Sequence, residues 1–187
     1  MEKRPDLRII KTKKALYESL LDLMKDETFE EIKVSDICNK ALVNRSTFYA
    51  HYNDKYELLV ELLDELKKNL LSALKKNENE INTKEYFMEM LKLLINHIDE
   101  KRKIYSSILV NNKNGILMDI LLDVADKDIK ERIENDKSVV SNIPSEVITK
   151  FYLGAIVSIG IEWIRDNSKY SKNEILEYFN ILIPEKI

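Results

Sequence analysis

The stretch Ile32–Leu58, IKVSDICNKALVNRSTFYAHYNDKYEL, decides how the chain is read. It divides into two very short helices, at about 34–41 and 44–51, around a tight turn of three to four residues. Val34, Ile37, Cys38 and Ala41 recur at helical spacing and form the inner face of the first. Phe48 and Tyr52, four apart, form the inner face of the second. Asn44 stands before it as the expected N-cap, its side-chain oxygen placed to accept orphan N–H groups of the first turn. Asp54, with Glu57 three residues on, reads as a capping-box variant that opens a long helix, about 54–76. Helices this short cannot bury a core alone, so they must lean on the long one, through Leu58, Leu59, Leu62, Leu63, Leu66 and Leu70. Two short helices around so tight a turn make a helix-turn-helix.

Working outward, the pattern stays helical. The chain has 187 residues, of which 44% are apolar, enough for one domain or two small ones sharing a core. It holds three glycines and three prolines, too few for the turns of a sandwich or barrel. Upstream, Ile9, Leu16, Leu20, Leu23 and Met24 share one face of a helix over about 6–25. Downstream, helices are expected at about 84–100, 102–110, 116–135, from Pro144 to Asp166, and from a Ser171 cap to Ile183. The fold class is therefore all-α, with about nine helices and no convincing strand.

Several chemistries are disfavoured. A single cysteine, Cys38, allows no intrachain disulfide and no thiolate zinc site, and two histidines, His51 and His97, make no metal set. There is no phosphate loop, dinucleotide fingerprint or nucleophile elbow, so neither an enzyme nor a cofactor is expected. No uninterrupted apolar run reaches the ~18 residues of a membrane span, and the charged N-terminus has no signal-like core. A cytoplasmic protein with no membrane partner is expected.

The formal net charge is −3, which does not suggest a nucleic-acid binder, but the first 17 residues carry six bases against two acids. A local basic end is what would attract phosphate. In a helix-turn-helix the second helix enters the major groove with its N-terminal residues at base edges. With Phe48 and Tyr52 turned inward, the outward set includes Arg45, Ser46, Tyr49 and Ala50. Arg45 offers a bidentate fork for a guanine, worth ~1–3 kcal/mol of discrimination. Thr47, Tyr49 and His51 suit phosphate, which positions without specifying. Lys55 lies in the first turn of the next helix, where the N–H groups and the positive dipole end favour an anion.

At these residues the chain resembles the TetR/AcrR transcriptional regulators. VNRSTFYAHYNDKYEL is similar to their recognition helix and the helix start that follows, and VSDIC…A to the helix before it. The likeness covers about residues 10–70, sharpest at 33–58. Two positions depart from the pattern. Lys33 replaces a Ser/Thr cap, which points to a later helix start at Ser35. Leu42 replaces a turn glycine, which points to a strained or differently shaped turn. The resemblance implies a DNA-binding head over 1–53, with its helix-turn-helix at about 33–52, and a C-terminal helical dimerisation and ligand-binding bundle over 54–187. It implies a homodimer on a palindromic double-stranded operator, most often a repressor released by a small-molecule effector. It also implies base or phosphate contact for Arg45, Ser46, Thr47, Tyr49, His51 and Lys55. The alternative is a helical protein-interaction or co-activator module that kept the fold without operator binding; steep salt dependence separates the two.

The segment 144–166 is apolar on most faces, as in a helix buried on all sides, and a second subunit is its expected cover. Gly154 and Ser158, four apart, leave room for close approach. Ile175, Leu176, Phe179, Leu182 and Ile183 give the last helix a matching stripe, so two helices per subunit make a four-helix interface. GAI…IEWI within this segment looks like one TetR subgroup. The expected pocket lining is Tyr86, Met90, His97 and Tyr105 with Met118, Tyr152 and Trp163; such residues suit a small molecule and suit plain core equally.

Overall fold

Asp6 starts the first helix by accepting the N–H of Arg8 at 2.9 Å. The computed structural model describes residues 6–74, 82–111, 116–135, 143–165 and 169–184, leaving aside the side chains of 71, 73–74, 110–111, 116–118, 121, 124–125 and 127–128. Nine helices and no strand occur among the described residues. Helix α1 spans Leu7–Leu23 and buries Leu16, Tyr17, Ser19 and Leu20. Ile9, expected on this face, is exposed, in the first turn of α1 and ahead of the residues that reach the core.

Helix α2, Val34–Ala41, begins where the periodicity predicts, without delay to Ser35. Lysine has no acceptor to cap with, and Asp36 compensates by reaching back to the Lys33 N–H at 3.1 Å. The turn places Leu42 at φ 56, ψ 39, the left-handed conformation that glycine takes without steric cost. Its side chain is 93% exposed, so no packing offsets the strain. Helix α3, Arg45–Tyr49, follows Asn44, whose backbone is extended as a cap requires. The expected side-chain hydrogen bond is absent, so Asn44 caps by conformation alone. Helix α4, Lys55–Leu74, opens under Asp54, whose carboxylate accepts the N–H groups of Tyr56 and Glu57, both at 2.9 Å.

These four helices build one core. Leu16, Leu20, Phe29, Ile32, Ile37, Cys38, Phe48, Tyr52 and the first turns of α4 through Leu58, Leu59 and Leu62 pack together, joined by Ile108. Burial also pushes the Cys38 thiol up from its ordinary range.

The body holds α5 (Thr83–Glu100), α6 (Arg102–Asn111), α7 (Ile116–Asn135), α8 (Ser145–Arg165) and α9 (Lys172–Leu182). Capping boxes pair Asn82 with Glu85 at the head of α5 and Ser171 with Glu174 at the head of α9. Helix α7 lies along α8, α5 along α9, and α6 along α8. Two smaller cores result, one around Leu91, Ile95, Trp163, Ile175 and Phe179, the other around Tyr86, Phe87, Ile133 and Ile148. Within the single chain α8 is not covered all round: Val147, Phe151 and Ile159 are exposed. By length and composition alone α8 would also suffice to cross a bilayer, despite the charges that interrupt its apolar run.

Candidate nucleic-acid interface

Helix α3 is held by one face and offers the other. Phe48 is 0% exposed, and its ring meets Tyr49 edge-on at 5.4 Å and Tyr52 at 5.6 Å. With Phe48 fixed, helical geometry sends Arg45, Ser46 and Tyr49 outward, and all three are exposed. Thr47 and His51 are half-buried at the flanks, the His51 ring 6.3 Å from that of Tyr52. Arg45 and Tyr49 line an open groove of about 820 Å³ together with Lys33, Ser35, Lys55 and Tyr56. Ordinary major-groove readout needs donors on an exposed short helix of this kind.

A polar knot behind α3 escapes a reading of the sequence. The Tyr52 and Tyr17 hydroxyls are in hydrogen-bond contact at 3.3 Å, and Lys13 Nζ pairs with Glu61 Oε1 at 2.5 Å while lying over the Tyr52 ring at 5.4 Å. Burial pushes Tyr17 up to about 12, and burial with the neighbouring Glu61 pushes Tyr52 higher still. Burial also opposes the Glu61 carboxylate, but hydrogen bonds from Lys13 and Tyr52 outweigh it and hold its pKa down. Both phenols therefore stay protonated as donors, and α1, α4 and the end of α3 are tied at one point. The spacing Lys13–Tyr17 on α1 is the one sequence signal for this knot, and only the fold brings in the other two residues.

Lys55 departs from its expected part. Its Nζ donates to the main-chain carbonyls of Phe29, Glu30 and Ile32, each at 2.7 Å. The side chain turns back into the head, where burial lowers its pKa against the opposing charge of Glu30.

In the body, Gly154 and Ser158 are exposed, and a Cβ added at Gly154 would meet nothing within 4 Å. Ile175 and Phe179, expected at a subunit interface, are buried in the chain's own core instead. The apolar residues α9 leaves outward are Tyr178, Ile181 and Leu182. The expected stripe is divided between two edges of α9: Ile175, Phe179 and Ile183 face inward and Leu182 faces out.

The pocket candidates do not converge. Tyr105, Tyr152 and Trp163 belong to or pack on one core; Tyr86 belongs to the other, under the Arg132 guanidinium at 4.2 Å, and Tyr152 touches both. Trp163 is tied in place: its indole N–H donates to the Tyr170 carbonyl at 3.2 Å, and Arg102 stacks on the Trp163 ring at 4.1 Å and donates to the Trp163 main-chain carbonyl. His97 Nε2 and the Tyr105 hydroxyl are 2.8 Å apart. Burial, then Lys101, lowers the His97 pKa against Glu100. Met90 is half-buried, and the side chain of Met118 lies outside the described residues. Among the described residues no three His, Cys, Asp or Glu cluster as metal ligands.

Comparison with known proteins agrees with this geometry. Residues 85–185 match the TetR family model described as a transcriptional regulator C-terminal region. The dhaKLM operon transcriptional activator DhaS of Lactococcus lactis is 28% identical over 162 residues, 84% of this chain and 82% of that protein. The HTH-type regulator YxbF of Bacillus subtilis is 38% identical over 63 residues, 33% of this chain but only 17% of that protein. A TetR regulator from Streptococcus agalactiae superposes with a TM-score of 0.65 at 25% identity, over 95% of this chain and 96% of that one. A readable helix presented by a closed head, and a C-terminal region of matching kind, make this chain a member of the TetR family of DNA-binding transcriptional regulators.

Proposed function

We propose that the chain acts as a homodimer that reads a palindromic operator through two copies of α3, and that a small-molecule effector releases it, as in a repressor. One observation carries the reading: Arg45, Ser46 and Tyr49 are exposed on a helix whose opposite residue, Phe48, is wholly buried. Arg45 reads a base edge, while Ser46, Thr47, Tyr49 and His51 position the helix on phosphate. Residues 1–53 supply the reading head and 54–187 the regulatory body, in the cytoplasm where the DNA is.

The dimer follows from what is left uncovered. Val147, Phe151, Gly154, Ser158 and Ile159 run along one side of α8, and Tyr178, Ile181 and Leu182 along α9. An apolar face of this kind calls for a partner, and a second copy meets it about a two-fold axis. Such a dimer sets two reading helices ~34–36 Å apart, one DNA turn. Helix α4 is the lever, because its first turns lie in the head's core while it also packs on α5 and α7. An effector among the body helices changes the spacing by as much as its affinity differs between the two arrangements. The likeness to DhaS, an activator, favours a second reading in which the same dimer raises transcription.

The test is fluorescence anisotropy on the DNA upstream of the protein's own coding region, at 50 and 200 mM salt. Two subunits per site and an affinity loss of roughly a thousandfold or more between those salts are expected for six or more phosphate contacts. Tyr49→Ala weakens binding with the dimer intact, and Arg45→Ala relaxes preference at one base position per half-site. If neither that DNA nor a randomised pool is bound specifically, the protein-interaction reading takes over.

A further inference from the structure

We propose that Lys55 is a positioning residue, a clasp joining the two ends of the helix-turn-helix and so fixing the angle at which α3 meets DNA, in place of a phosphate contact. This rests on the operator-binding reading above. The segment from Lys33 to Asp54 carries α2, the turn and α3. Phe29, Glu30 and Ile32 precede it, and Lys55 follows it. One ammonium bridges the two ends across 23 to 26 residues of sequence.

The chemistry of the cradle matches a lysine and little else. An ammonium has three N–H donors and no acceptor. Three carbonyl oxygens at 2.7 Å satisfy all three. The same ammonium lies 4.9 Å from the Phe29 ring and 5.6 Å from the Tyr56 ring, which meet edge-on at 5.2 Å. Phe29 is itself wholly buried, so the clasp is anchored in the head's core. A phosphate that took this ammonium would have to draw it away from three carbonyls at once.

A second observation points the same way. The start of α4, which would otherwise draw a phosphate, already holds a carboxylate. Asp54 accepts the N–H groups of Tyr56 and Glu57. Glu57 in turn accepts from the Asn53 N–H at 2.7 Å and its side-chain amide at 3.0 Å. Two acidic side chains at this terminus repel an approaching anion, while they and Lys55 together hold the exit of α3.

Two substitutions separate a clasp from a contact. Lys55→Met keeps the alkyl stem and loses the ammonium. Lys55→Arg keeps a cation that serves phosphate well, but its planar fork does not fit a cradle shaped for three converging N–H groups. The full-length proteins are titrated on a duplex selected from a randomised pool by the wild type, across 50–200 mM salt, with melting curves in parallel. The clasp predicts an affinity loss of about tenfold or more for both variants. It also predicts an unchanged slope of log affinity on log salt, and relaxed base preference when Lys55→Arg repeats the selection. A slope lower by about two per dimer for Lys55→Met, with Lys55→Arg like wild type, makes Lys55 a phosphate contact and overturns the clasp. Wild-type affinity in Lys55→Met overturns it as well. Where Lys55→Met melts below the assay temperature, Lys55→Arg decides alone. A wild type that selects no duplex overturns the operator-binding reading itself, and the clasp with it.

Discussion

In the head, Leu16, Leu20, Phe29, Ile37, Phe48 and Leu58 sit at 0% exposure, whereas in the body the best-covered apolar side chains, Ile183 and Phe179, stay at 2% and 3%. On the surface, α8 leaves Phe151 at 70% and α9 leaves Ile181 at 70%. The two regions draw on the same residue types and similar helices. They differ in what each helix has to pack against. Helix α1 and the two short helices converge on the first turns of α4 and close around one centre. The body spreads its apolar residues over two smaller cores and keeps a remainder facing outward. On the proposed function, the head that holds α3 rigid needs a finished core, and the body that would meet a second copy needs an unfinished one.

The contrast can be broken with a pair of phenylalanines. Phe48→Ala should cost about 3–5 kcal/mol and abolish operator binding, because it empties the centre of a core that cannot collapse. Denaturant unfolding followed by circular dichroism measures it. Phe151→Glu should leave the monomer's stability within about 0.5 kcal/mol, as for a surface position. It should nonetheless raise the dimer dissociation constant by a hundredfold or more, on the order of 2–4 kcal/mol, by placing a charge in an apolar contact. Sedimentation velocity reads the second effect. A Phe151→Glu protein that stays dimeric would move the subunit contact away from α8.

A smaller effect sharpens the picture inside the head. Leu42 adopts a left-handed conformation at a cost of about 1–2 kcal/mol. Leu42→Gly removes that cost and restores some unfolded-chain entropy, for a net gain of up to about 1 kcal/mol. The melting temperature should rise by about 2–4 °C with operator affinity unchanged. A fall would mean that the exposed leucine contributes contacts in the dimer or on DNA.

The smallest expected effect belongs to the body. The His97 pKa lies below 6.5 because burial disfavours the charged ring. The stability that its neutral form contributes is complete above pH 6.5 and is lost as pH falls through 6.5 toward the folded value. Thermal melts between pH 7.5 and 5.5 should show this loss, and His97→Gln, which does not titrate but can still hydrogen-bond Tyr105, should flatten it. An unaltered pH profile in the variant would assign the loss to other groups.

Much of this architecture is legible in the sequence because caps are local. Asp54, Pro144 and Ser171 announce helix starts within a residue or two of where they occur. The exposed face of α3 is legible too, because Phe48 and Tyr52 leave only one way to turn a short helix. What escapes is pairing at a distance. Nothing near Lys55 in the chain says that three carbonyls 23 to 26 residues upstream converge on it. Nothing in α9 distinguishes Ile175 and Phe179, which face home, from Ile181 and Leu182, which face out. A helix with two apolar edges has a period but no direction until its neighbours are in place.

Cys38 has a practical consequence. It is the chain's one cysteine, 2% exposed in the head's core, with a thiol that burial keeps protonated. A maleimide dye, which needs an accessible thiolate, should pass it by. Ser46→Cys would then carry the single labelling point of each subunit, on the outward side of α3. In the proposed two-fold pair, labelled with a mixture of donor and acceptor dyes, the molecules that take up one of each carry them about 34–36 Å apart when poised for DNA. Energy transfer between them would report the opening of the reading heads directly, without any DNA in the cuvette.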